Sequence, residues 1–359
     1  MSNPLPQGAV IGILGGGQLG RMLSVAAARL GFRTHIFEPA ECPPAGHVAD
    51  RVTTASYTDE AALRAFGSGV DVITYEFENV PTSALDLLGS LAPIHPGREA
   101  LRISQDRITE KDFLSGLGLS VAPYAALEGA TSMAAALEKI GTPAILKTRR
   151  FGYDGKGQAR LKSADDAAQA LEGMAGAPAV LEGFIDFSAE ISVIAARGTS
   201  GEVACFDPGE NVHEGGILRK TTVPANVASS LRMDAVLLAG RILNALDYVG
   251  VMGVELFVTK SGLVVNEIAP RVHNSGHWTQ NGCTVDQFEQ HIRAIAGWPL
   301  GNGQRHSDVV MENLIGDDMN RVANLAAQAE TALHLYGKSE VKPGRKMGHV
   351  NRITGKAAP

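Results

Sequence analysis

Cysteine, tryptophan and long apolar runs are what this 359-residue chain has least of. It carries 3 Cys and 2 Trp, and aromatic residues make up 5%. Cys42, Cys205 and Cys283 are odd in number, widely spaced and form no Cys-x-x-Cys pair, which excludes a disulfide framework and a thiolate zinc site and fits a reducing compartment. The apolar stretch Ala9 to Leu14 is too short for a signal peptide or a spanning helix, Met1 to Gly8 carries no basic segment, and no other stretch approaches about 18 uninterrupted apolar residues. The expected location is cytoplasmic, with no membrane partner. An excess of positive charge is also missing: 32 Lys plus Arg face 38 Asp plus Glu, a net charge of −6. Nucleic acid is therefore not an expected partner, while a local basic site for one phosphate is compatible with the balance.

What is plentiful is apolar residue, at 45% against 19% charged, and glycine, at 41 residues. At roughly 100 to 200 residues per domain, such a chain buries two or three cores. The glycine content exceeds the usual level of about 7% and implies tight turns or close approach of backbone to ligand.

The first hundred residues alternate strand-like and helix-like patterns: an apolar strand over Ala9 to Leu14, an Ala-rich helix over Gln18 to Leu30, then strands over Thr34 to Phe37 and Val70 to Tyr75. This is a parallel α/β unit with right-handed crossovers. A helical stretch from Arg98 to Leu117 marks its end. To about Gly183 the pattern is that of a compact α+β lobe, with a strand at Ala144 to Lys147, a glycine hairpin and a strand at Ala179 to Glu182. After Phe187 the strands alternate and read as antiparallel, with turns at Thr199 to Gly201 and Lys260 to Gly262. The expected domains are residues 1–105, 106–185 and 186–359.

Five segments carry chemistry. Gly15, Gly17 and Gly20 hold the Gly-x-Gly-x-x-Gly positions after the first strand, and Glu38 ends the second, where a dinucleotide fold would hold ribose. A nicotinamide or flavin site, another phosphate ligand and a structural turn are all open readings of this loop. The second glycine loop, Phe151 to Gly157 after Lys147, suits a flap over a polyphosphate, with Lys147 and Lys156 neutralising it; an exposed hairpin is the plainer reading. If Lys260-Ser261-Gly262 is a three-residue turn, Thr259 pairs with Leu263 and Glu255 lies opposite Glu267 on one face. Opposed carboxylates among apolar neighbours repel unless a cation lies between them, and Mg2+ suits them best; a glycosidase-like acid/base pair and two solvated glutamates are the alternatives. Beyond that hairpin, His273 and His277 are four apart, but Pro270 and Asn274-Ser275-Gly276 argue against a helical zinc site. The fork of Arg271 matches a carboxylate-like anion. Lys338, Arg345 and Lys346 in a basic segment suit one phosphate monoester; an ordinary basic surface loop is the alternative.

In their order these features resemble the ATP-grasp superfamily, and within it the carboxyaminoimidazole ribonucleotide synthases. The resemblance runs through Gly15 to Gly20, Thr74 to Val80, Gln105-Asp106-Arg107 with Glu110-Lys111, Gly152 to Gln158, Asn266 to Arg271, His273 to Gly282 and Gly344 to Val350. It implies an ATP-grasp fold of α/β and α+β type: an N-terminal Rossmann-like domain, a small central lobe and a C-terminal mixed-sheet domain. It implies ATP and Mg2+ as cofactors, aminoimidazole ribonucleotide and bicarbonate as substrates, and a homodimer.

For ATP the resemblance implies Arg107 and Lys147 at the phosphates, a flap of Gly152, Tyr153, Asp154, Gly155, Lys156, Gly157 and Gln158, then Glu182, Gly183, Phe184 and Ile185 at adenine, Glu190 at ribose, and His213 nearby. Glu255 and Glu267 would hold the metal, with Asn266 turned away by a strict pleat. Ala269 stands where many ATP-grasp enzymes have an asparagine. For the ribonucleotide it implies Gly16, Gly17, Gln18 and Leu19 with Lys338 and Arg345 at the phosphate, and Glu76, Tyr153 and Asp154 at the imidazole and ribose. Arg271 would bind bicarbonate beside His273 and Asn274, and Asp154 is the candidate base. The formate-using ribonucleotide ligase and biotin carboxylase share this core. A nicotinamide dehydrogenase and a non-catalytic nucleotide-binding regulator are the rivals from other classes.

Overall fold

The computed structural model describes residues 3–128, 132–152 and 155–357. Tyr153 and Asp154, expected in the flap, lie outside the described residues. The chain opens with four parallel strands, β1 (Val10–Leu14), β2 (Arg33–Phe37), β3 (Arg51–Thr53) and β4 (Val72–Tyr75), in the order β3-β2-β1-β4. Strand β1 is apolar because helices cover both faces of a parallel sheet. The helix Gln18–Arg29 leaves it through the first glycine loop.

A second sheet is antiparallel, with β5 (Tyr124–Leu127), β6 (Ala144–Thr148), β7 (Gln158–Leu161) and β8 (Ala179–Gly183) in the order β5-β8-β6-β7. It has its own small core around Leu127, Met133, Leu146, Leu161 and Leu181. The third sheet comprises β9 (Ala189–Arg197), β10 (Val203–Cys205), β11 (Gly209–Glu214), β12 (Ile217–Val223), β13 (Gly250–Thr259), β14 (Gly262–Ala269), β15 (Ser307–Ile315), β16 (Thr331–Leu335) and β17 (Lys346–Lys356). Their order is β14-β13-β9-β11-β12-β15-β17-β16, with β10 on β9. Its described ladders all run antiparallel, as the alternating strands after Phe187 suggest and unlike the mixed sheet expected of the C-terminal domain. One apolar cluster runs from Ile11, Leu23 and Ile36 of the first sheet region to Ile194, Trp278 and Phe288 of the third. These two regions share a core, and the central sheet shares it with neither.

Two local departures from the sequence reading matter for the site. The helical stretch Arg98 to Leu117 is two helices, Arg98–Ser104 and Arg107–Gly116. Asp106 breaks it, since its carboxylate accepts from the amides of Ile108 and Thr109 and caps the second helix. The restart carries Arg107, Glu110 and Lys111 inward.

The β13–β14 hairpin turns through two residues rather than three, pairing Thr259 with Gly262. A bulge then restores the register: Leu256 faces Val265, Glu255 faces Glu267, and Asn266 is the extra residue. The glutamates are opposed, as expected, by a different route. The bulge also overturns the strict pleat assumed for Asn266, because an extra residue releases the alternation locally.

Candidate active site

One cleft of about 900 Å³ lies between the three sheets. Gln18, Leu19, Glu76, Arg107, Lys147, Gly152, Gly155, Lys156 and Gln158 reach it from the first half of the chain, and Glu190, His213, Glu255, Asn266, Glu267, Arg271, His273, Asn274, Lys338 and Arg345 from the second. Residues more than 300 positions apart, Gln18 and Lys338, thus line the same space. Gly152, Gly155, Lys156 and Gln158 of the flap segment line it, and a Cβ added at Gly155 would lie 3.0 Å from the carbonyl oxygen of Gly215, in the turn between β11 and β12.

The first glycine loop differs from the open phosphate cradle expected of it. The amide of Gly16 donates to Glu38 at 2.7 Å, that of Gly20 to Glu76 at 2.6 Å, and that of Gly17 to the other oxygen of Glu76. Glu76 is 8% exposed, so the positive end of the helix Gln18–Arg29 is met by a carboxylate of the chain itself. Gly15, at φ 101°, and Gly17 permit this, because a Cβ on them would lie 2.5 and 2.6 Å from the Glu76 side chain. Gly16 and Gly17 therefore hold Glu38 and Glu76 rather than a ligand, and Glu76 buttresses the loop instead of standing free for imidazole. Among the described residues no acceptor is assigned to the amides of Gln18 and Leu19, the two that remain at the helix end. A dinucleotide pyrophosphate would compete with both glutamates, which removes the dehydrogenase reading.

The phosphate end is a dense set of charges. Arg107 donates to Glu267 at 2.9 Å, and Lys147 to Glu182 at 2.8 Å. Glu182 was expected at adenine, yet its carboxylate is committed to Lys147 and, at 3.2 Å, to Lys111. The amides of Gly183 and Phe184 donate to Pro123 and Pro143, and Phe184 lies under Arg160. Glu182, Gly183, Phe184 and Ile185 stand outside the cleft lining. The apolar surface there comes from Ile145, Phe187 and Phe257, the last two stacked at 4.6 Å between ring centroids. Strand alternation contains a signal for Phe257, two residues from Glu255 on the same face; Phe187 has none, since it precedes β9.

Burial, then the charge of Glu267, pushes Glu255 above the usual carboxylate range. Burial opposes ionisation of Glu267 too, but the Arg107 guanidinium outweighs it and holds Glu267 below that range. His273 lies 3.4 Å from Glu255, yet burial first, then Arg271 and Lys346, drives it down to about 3, so the ring is neutral and the pair is not an ion pair at neutral pH. Burial would also lower His213, but Glu190, at 2.7 Å, and Glu255 raise it. Among the described residues no group of three or more acidic, His or Cys side chains is arranged for a metal, so a cation here would rest on the opposed pair.

Arg271, expected to offer its fork to an anion, gives it to Glu78: Nε donates at 2.6 Å and Nη2 at 3.1 Å, while Nη1 donates to the carbonyl of Val272. Two of its five N–H bonds are left for a ligand. The sequence reading assigned Glu78 no role. Both amide atoms of neighbouring Asn274 are buried without a hydrogen-bond partner among the described residues. In the basic segment, Lys338 donates to the carbonyl of Lys346 at 2.7 Å and Arg345 to that of Glu340 at 3.1 Å.

Beneath the glutamate pair, Glu110 is 3% exposed and accepts from the amide of Ile268 at 2.7 Å. Burial, then Glu267, pushes it up to about 8 from 4.5. A raised pKa makes the protonated form the stabilising one, so this contribution is full below about pH 4.5 and is lost as pH rises through about 8. Glu110→Gln keeps an acceptor for Ile268 and cannot ionise. It should match wild type near pH 4.5 and exceed it in urea denaturation by an amount that grows to a few kcal/mol at about pH 8. An offset that does not change with pH would show that Glu110 is ionised throughout.

Comparison with known proteins agrees with this geometry. The ribonucleotide synthetase preATP-grasp domain matches residues 9–105, the ATP-grasp domain residues 112–288, and the phosphoribosylaminoimidazole carboxylase C-terminal domain residues 309–358. The N5-carboxyaminoimidazole ribonucleotide synthase of Brucella melitensis is 55% identical over 352 residues, covering 97% of each chain. The Staphylococcus aureus N5-carboxyaminoimidazole synthetase complexed with ADP superposes with a TM-score of 0.94 at 38% identity, covering 98% of this chain and 95% of that one. The Aspergillus clavatus enzyme in complex with ADP and 5-aminoimidazole ribonucleotide gives 0.92 at 32% identity, over 97% and 94%. This chain belongs to the N5-carboxyaminoimidazole ribonucleotide synthase family of ATP-grasp proteins.

Proposed function

We propose that this chain is an ATP-dependent carbon–nitrogen ligase of purine biosynthesis. It joins bicarbonate to the amine of 5-aminoimidazole ribonucleotide, with ATP converted to ADP and phosphate. The observation that carries the reading is the single cleft, where a glycine flap with Lys147 and Arg107, an opposed glutamate pair, Arg271 and a basic segment face one another.

Transfer of the terminal phosphoryl group of ATP to bicarbonate gives carboxyphosphate, and the substrate amine takes the carboxyl group or the CO2 it releases. The chain's part is charge neutralisation and positioning. Arg107 and Lys147 bind phosphate oxygens, Ile145, Phe187 and Phe257 flank adenine, and Glu190 with His213 meets the ribose. The flap excludes water from a short-lived intermediate. Glu255 and Glu267, with Asn266 beside them, fit a divalent cation, because a buried like-charge pair is relieved by one. Mg2+ held there would neutralise phosphate charge. The two N–H bonds of Arg271 not given to Glu78 or Val272, with the unpartnered amide of Asn274, suit bicarbonate, an anion that accepts through two oxygens and donates through its hydroxyl. Lys338, Arg345 and the amides of Gln18 and Leu19 suit the ribonucleotide phosphate. A cytoplasmic location fits three free cysteines.

ADP release should require both aminoimidazole ribonucleotide and bicarbonate for full rate, and should drop in bicarbonate-depleted buffer. Turnover equal in all four combinations would exclude this carboxylation.

A further inference from the structure

Lys111 is 1% exposed, points from the helix Arg107–Gly116 into the central sheet, and does not line the cleft. A buried ammonium is costly unless paired. Its ion-pair partner is Glu182, at 3.2 Å and outside hydrogen-bond geometry, and the other oxygen of Glu182 accepts a hydrogen bond from Lys147 at 2.8 Å. Glu182 stands opposite Ile145 across the β6–β8 ladder, so Lys147, two residues on, shares its face. One carboxylate therefore serves two lysines, and only Lys147 reaches the cleft. Three cations gather here, Arg107, Lys111 and Lys147, against the carboxylates of Glu182 and Glu267, while burial keeps Glu110 protonated at neutral pH. Arg107 is matched to Glu267 at 2.9 Å, and Glu182 is divided between the lysines.

We infer that Lys111 is a positioning residue that keeps the positive charge of Lys147 available to its ligand: by drawing on one oxygen of Glu182 it prevents that carboxylate from offsetting Lys147 in full, while the other oxygen still fixes the ammonium in place. The inference rests on the reading that Lys147 meets the phosphates of ATP. Lys147 is lowered by burial first, against the pull of Glu182, and then by the like charges of Arg107 and Lys111. Without Lys111, Glu182 closes on Lys147 alone, and two effects follow. The net charge offered to a polyphosphate falls, and the ammonium loses its proton at higher pH.

The test compares Lys111→Met, Lys111→Arg and the double variant Lys111→Met/Glu182→Gln in the full-length enzyme, by ATP binding calorimetry and by steady-state kinetics against pH. Lys111→Met should weaken ATP roughly tenfold in both Kd and KM, leave the ribonucleotide KM within about twofold, and move the basic limb of kcat/KM for ATP upwards. Lys111→Arg should restore most of the loss. The double variant, in which no carboxylate is left to neutralise Lys147, should bind ATP more tightly than Lys111→Met. A merely structural lysine would lower Tm and all kinetic constants together without moving the basic limb, and that result would overturn the inference. So would a double variant no better than the single one, which also covers a poorly folding Lys111→Met. Wild-type enzyme that binds no ATP would instead remove the underlying reading.

Discussion

Replacing Glu267 by glutamine should reduce kcat at saturating substrates by roughly 10²- to 10⁴-fold while leaving the protein folded. Glutamine keeps the shape and an oxygen that can still accept from Arg107, which lies 2.9 Å away in wild type. What it removes is one of two opposed charges. Without metal, that removal relieves the repulsion that raises Glu255 but also takes the counter-charge from Arg107, which holds Glu267 below the usual range, so stability at neutral pH should fall without loss of the fold. With metal, the cation retains one carboxylate, and the charge developing on the transferring phosphoryl group is less well matched. Because Glu255 loses its like-charged neighbour, it should ionise at lower pH in the variant. Magnesium titration of phosphoryl transfer checks this: the half-saturating concentration should rise, and wild-type turnover at low magnesium would sink the assignment. A loss confined to KM for ATP would point to simple phosphate binding.

The architecture was legible because its signals are local. Period and composition mark the α/β unit, the small lobe and the antiparallel strands, and the glycine segments mark where backbone approaches something closely. The opposed glutamates emerge from counting along a hairpin, but the turn is one residue shorter than assumed and the bulge at Asn266 supplies the missing residue. A bulge leaves no mark in one sequence, so the assumed turn and pleat concealed each other. The partners of charged residues were less legible. Glu76 on the loop amides, Glu78 on Arg271 and Glu182 between two lysines are joined across 56, 193 and 35 positions. Sequence shows that charges are present and leaves open whether they face a ligand or one another. In each case a charged residue expected to face a ligand spends hydrogen bonds on another part of the chain, so the site is built in more layers than its motifs suggest.

Arg345→Ala should raise KM for aminoimidazole ribonucleotide by roughly 10- to 150-fold, as expected for a lost charged hydrogen bond of about 1.5–3 kcal/mol, with little change in KM for ATP. The glycine loop cannot substitute for it. The amides of Gly16, Gly17 and Gly20 are taken by Glu38 and Glu76, so the helix end brings only Gln18 and Leu19 to a phosphate and places two carboxylates close behind them. Most of a dianion's charge must be met from elsewhere, and Lys338 and Arg345 line the same cleft as Gln18 and Leu19. Arg345 makes a hydrogen bond to the carbonyl of Glu340, which leaves most of its N–H bonds for a ligand. The dephosphorylated nucleoside separates this role from a general effect on the cleft. Wild type should use it poorly, and Arg345→Ala should use it no worse, because the partner of the arginine is already gone. Equal losses for nucleotide and nucleoside would place Arg345 in the support of the start of β17, where its neighbour Lys346 begins the strand. The ratio of the two losses thus reports the phosphate contact itself.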